Sequence, residues 1–204
     1  MKLKIDNVES VLEKSLEDAC GLTAYKETLN LDAIATEKYQ KNFTSYYKIR
    51  RDRNWLKKFY EYMNQLKNKS TGEVSFESIL LELSSWKHNS RKARDNPTGV
   101  SCSIEVSFAS KLFATLCPEN PIWDSQVVEA LKIKVHNRKD RNEMIQEYIA
   151  AYKHLKNIVS EYLKSNEGKK TIKLFDKQFP NYTWISNYKK IDFFLWNIGK
   201  NNIK

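Results

Sequence analysis

Between residues 140 and 165, apolar side chains recur three or four positions apart for about five turns: Met144, Ile145, Tyr148, Ile149, Tyr152, Leu155, Ile158, Val159 and Tyr162. That spacing fits one face of an α-helix and does not fit a strand, whose faces alternate every residue. The rest of the chain agrees. Only five glycines and four prolines occur in 204 residues, too few for the many tight turns of an all-β or doubly wound fold. The expected class is all-α: a single compact helical domain over residues 1–204, with two helical lobes flanking a groove as the alternative arrangement.

Val8, Val11, Leu12, Leu16 and Ala19 predict a first helix that ends near Gly21. Residues 31–69 read as helical with a break around Arg50–Asn54, and Trp55, Leu56, Phe59, Met63 and Leu66 mark the apolar face after it. Ser75 is placed to cap a helix carrying Phe76, Ile79, Leu80 and Leu83. A basic loop follows from Asn89 to Thr98. Helical character resumes over 103–117, Pro118-Glu119-Asn120-Pro121 interrupts it, and Asp124-Ser125 caps the next helix. Ile191 to Ile198 is apolar on every side and is expected to be buried.

Lys and Arg exceed Asp and Glu by ten. Such an excess favours a polyanionic partner, nucleic acid first. Cys20, Cys102 and Cys117 form no CxxC pair, and with His88, His136 and His154 they give no metal-ligand spacing. No metal and no cofactor is expected. The first residues lack the apolar run of a signal peptide, and no stretch reaches the roughly 20 apolar residues of a membrane span. The expected setting is the cytoplasm, without a membrane partner. P-loop, GxGxxG, GxSxG and HExxH motifs do not occur.

One segment points to chemistry. Residues 107–127 place Lys111 at the start of a short apolar helix and Asp124 at the start of the next. The helix from Lys111 to Cys117 rises about 10 Å, and the six residues Pro118 to Trp123 reach at most about 20 Å when extended. The chain can therefore return Asp124 to Lys111. A lysine amine with a lowered pKa can attack a sugar C1′ and form a Schiff base, while a carboxylate opposite it stabilises the oxocarbenium-like charge. Such an enzyme must extrude its target nucleotide.

Ser110-Lys111-Leu112 followed by Pro121-Ile122-Trp123-Asp124-Ser125-Gln126-Val127 resembles the catalytic segment of the helix-hairpin-helix DNA glycosylase superfamily, nearest its oxoguanine-removing branch. The resemblance is carried by residues of about 103–135. It implies a base-excision glycosylase and abasic-site lyase acting on DNA, with Lys111 as the nucleophile and Asp124 as the catalytic carboxylate. Trp123 is the candidate platform for stacking an extruded base.

Positive charge collects in three segments: Arg50, Arg51 and Arg53; Lys87, Arg91, Lys92 and Arg94; and Lys132, Lys134, Arg138 and Lys139. These are the candidate phosphate contacts. Val106 to Ser110 hold no glycine, where the family's phosphate-gripping hairpin carries Gly-x-Gly. One alternative starts from that difference, a nucleic-acid-binding helical protein without catalysis; the other, a helical protein-interaction domain, follows if the three basic segments lie dispersed.

Overall fold

A computed structural model describes residues 3, 5, 8–14, 19–70, 72–86, 88–89, 100–101 and 103–202. Its helices, in chain order, are α1 (Val8–Lys14), α2 (Ala19–Thr28), α3 (Glu37–Tyr46), α4 (Arg53–Leu66), α5 (Phe76–Ser85), α6 (Val106–Leu116), α7 (Ser125–Ala130), α8 (Arg141–Lys164), α9 (Asn166–Gln178) and α10 (Asn187–Asn202). Short 3-10 turns lie at Leu31–Ala33 and Pro180–Tyr182. The described extended structure is one antiparallel ladder, with His88 opposite Ser101 and Asn89 opposite Val100. The protein is all-α. No described helix is long and apolar enough to cross a membrane.

The chain divides into two compact units. One comprises Thr23–Leu116; the other combines Met1–Leu22 with Cys117–Lys204. The segment that resembles the glycosylases therefore crosses the division, at the end of α6.

The 23–116 unit is built on aromatic packing. The break expected near Arg50 separates α3 from α4. Asp52 caps α4 by accepting from the Trp55 amide at 2.9 Å, which satisfies one of the helix's unpaired donors. Along α4, Trp55, Phe59, Tyr60, Met63 and Leu66 are buried. Phe43 of α3 packs 6.0 Å from the Phe59 ring and edge-on to Tyr60, arrangements favoured by the aromatic quadrupole. Ser75 caps α5 in a reciprocal box with Ser78. Helix α5 then packs on α6.

In the other unit, α10 packs against α1, α7, α8 and α9. Ile191, Phe194 and Leu195 are buried, as an all-round apolar segment requires. Close approach is made possible by glycine at two places. A Cβ on Gly199 would stand 1.9 Å from the Gln126 carbonyl oxygen on α7, and one on Gly168 would stand 1.9 Å from the Tyr162 carbonyl oxygen at the end of α8.

Two elements differ from the sequence expectation. Gly21 does not end a helix; α2 runs through it, because continuation buries Leu22 and Tyr25. Helix α9 was not expected at all. Its buried face is Gly168, Thr171 and Phe175, a narrow stripe with a single large apolar side chain.

Candidate nucleic-acid interface

Lys111 lies within α6, on its buried face, at 7% exposure. Its Nζ donates to the backbone carbonyl of Tyr47 at 3.4 Å and stands 5.9 Å from the Tyr47 ring. Tyr47 is the C-cap of α3. An ammonium at a helix C-terminus meets the negative end of the helix dipole and unpaired carbonyls, which accounts for a lysine in a core position. Asp124 begins α7 and accepts from the Gln126 amide at 3.1 Å. Lys111 belongs to the 23–116 unit and Asp124 to the other.

Trp123 is buried at 7% exposure and packs edge-on to Tyr148, with ring centroids 6.0 Å apart. Ile122 beside it is buried too, and Tyr152 donates to the Pro121 carbonyl at 2.8 Å. The Pro121–Trp123 stretch thus anchors the entry to α7 against α8.

The basic candidates divide. Arg50 and Arg53 are exposed. Arg51 turns inward: its Nη2 donates to both carboxylate oxygens of Glu105 at 2.8 Å, and the guanidinium lies 4.7 Å from the Phe108 ring centroid. Glu105 is itself buried, with its amide on the Ser84 hydroxyl. Arg51 is committed to the core of its unit. Lys87, Arg91, Lys92 and Arg94 lie outside the described residues. Lys132, Lys134, Arg138 and Lys139 are exposed. Of these, Arg138 donates to Glu147 at 2.6 Å.

Helix α9 adds a basic surface that the sequence reading passed over. Lys169, Lys170, Lys173 and Lys177 are all exposed. At 3.6 residues per turn they fall within an arc of about 100°, opposite the buried face of Gly168, Thr171 and Phe175. None of the four forms an ion pair among the described residues. The spacing Lys-Lys-x-x-Lys-x-x-x-Lys was visible in the chain, and Ser165, which caps α9 through the Gly168 amide at 3.0 Å, was the accompanying start signal.

Among the described residues, no group of three or more histidine, cysteine or acidic side chains could hold a metal ion. Cys117 is a buried free thiol, and burial pushes its pKa up. The chain matches no protein-family model, no curated protein and no solved structure.

Proposed function

We propose that this chain binds nucleic acid through exposed lysine surfaces and does so without Schiff-base chemistry. The observation that carries the reading is the α9 ridge: four exposed lysines on one helix, aligned on the side away from the core and lacking carboxylate partners among the described residues. Phosphates along a strand are the natural complement of such a row, because each contact releases condensed counterions. Exposed Lys132, Lys134 and Lys139 extend the same chemistry within that unit. The lyase step is left out because the Lys111 ammonium already serves the α3 C-terminus from a buried position. The same reading puts the protein in the cytoplasm, where Cys117 stays a thiol.

The test is fluorescence anisotropy with labelled DNA and RNA over a salt series. Binding should weaken steeply with salt. Lys169→Ala, Lys170→Ala, Lys173→Ala and Lys177→Ala together should reduce the log–log slope by roughly 0.7–0.9 for each lost phosphate contact. Salt-independent binding, or none at low salt, would sink the reading. Borohydride treatment with abasic DNA should leave no covalent adduct; an adduct that Lys111→Ala abolishes would reinstate the glycosylase and lyase mechanism.

A further inference from the structure

The 23–116 unit carries a cleft of about 780 Å³ between α3 and α4, within the size range of sites that enclose small ligands or part of a larger one. Lys41, Arg53 and Lys57 stand around it, against one lining carboxylate, Glu37. A shallower concavity shares Glu37 and Lys41 and adds Lys38. The ion pairs that occupy these cations are weak ones. Lys41 meets Glu37 at 2.8 Å with both side chains more than 70% exposed, and Lys57 reaches Glu61 only at 4.0 Å. Exposed pairs of this kind contribute little, so a phosphate can recruit both lysines, and Arg53 offers a planar fork that matches it.

The wall of the cleft has a direction. Tyr60 donates to the Gln40 carbonyl at 3.0 Å, and the Thr44 and Tyr60 hydroxyls are 2.7 Å apart. A carbonyl only accepts, so the phenol proton goes to Gln40. Both bonds are satisfied together only if Thr44 donates to Tyr60. That leaves the Thr44 Oγ1 lone pairs as acceptors in the cleft. Burial raises the Tyr60 pKa, which keeps its proton in place. The site therefore presents cationic donors for phosphate oxygens and, at Thr44 on the wall, an acceptor for a hydroxyl.

We infer that the α3–α4 cleft binds the sugar–phosphate backbone of an RNA strand, with Lys41, Arg53 and Lys57 on phosphates and a ribose 2′-hydroxyl donating to Thr44 Oγ1. The 2′-hydroxyl is the group by which a protein separates RNA from DNA. The inference takes its ligand class from the nucleic-acid reading and adds a site in the unit that lacks α9.

Short single-stranded RNA and DNA of one sequence are the probes, read by anisotropy, with circular dichroism to check the fold of each variant. The wild type should prefer RNA. The combined Lys41→Ala, Arg53→Ala and Lys57→Ala variant should lose at least about tenfold in RNA affinity, and its salt slope should fall by about 2, or roughly 0.7 per contact. Thr44→Val should bring RNA down to the level of DNA without changing DNA binding, while Thr44→Ser keeps the preference. Unchanged RNA binding by the triple variant overturns the cleft and leaves the α9 reading standing. A wild type that binds neither nucleic acid overturns both. Polyglutamate bound as tightly as RNA, and lost in the triple variant, reassigns the cleft to an acidic protein partner.

Discussion

Glu105 sits at 3% exposure with Arg51 as its charged partner. Burying a carboxylate costs several kcal/mol, and the attraction of a single guanidinium offsets that cost only when the remaining atoms are also bonded. Here the ring faces of Trp55 and Phe108 cover the guanidinium, and the Arg51 Nε is buried without a hydrogen-bond partner among the described residues. Removing the acid alone strands a half-buried cation. Glu105→Ala should therefore cost about 3 kcal/mol, measured by urea unfolding. Lys111 makes a related case. Lys111→Ala takes away both the long stem and the ammonium at the α3 C-terminus, so a loss of about 2–4 kcal/mol is expected from cavity formation and the uncompensated carbonyl. Stability unchanged by Lys111→Ala would contradict its structural placement. Neither commitment was legible from composition. Arg51 stands in a run of exposed cations in the sequence, and only the packing of α4 on α6 separates it from Arg50 and Arg53.

At the scale of elements, the readable features were those with a strong local signal. The 3.6-residue stripe of α8 and the caps at Ser75 and Asp124 correspond to helices the structure contains, as does the break before α4. Helix α9 carried a weaker signal, because lysines dominate its sequence and close backbone contact replaces apolar bulk at its start: Gly168 lets it lie against the end of α8. For Lys111 and Asp124, helix rise and loop reach permit a pairing without dictating it. Three glycines within helices make the packing testable. Gly199→Ala and Gly168→Ala should each destabilise by about 1–3 kcal/mol, the usual cost of overpacking, because backbone atoms stand where the methyl would go. Gly21 has nothing within 4 Å of its would-be Cβ, so Gly21→Ala should stabilise by about 0.5–1 kcal/mol. Thermal unfolding of the three variants in one buffer checks the contrast; destabilisation by Gly21→Ala would contradict the path of α2.

Over the whole molecule, both units bury phenols. Desolvation raises Tyr39 and Tyr60 in one and Tyr152 in the other, Tyr60 to about 12 from an ordinary 10.0. The unfolded chain releases these protons first as pH rises. Their contribution to stability is thus complete below about pH 10 and is lost as pH climbs through the folded values. The urea midpoint should fall on the alkaline side of pH 10, and phenolate absorbance should appear together with unfolding. Early phenolate signal from all tyrosines in a folded protein would refute the burial. The division of the chain has a further consequence, for synthesis. Residues 23–116 leave the ribosome with the partners of their own unit already made. Helix α1 emerges before them, yet it packs on α9 and α10, which are translated after them. Since domains fold as units during translation, the inserted middle completes first, and α1 waits for α9 and α10 to join it.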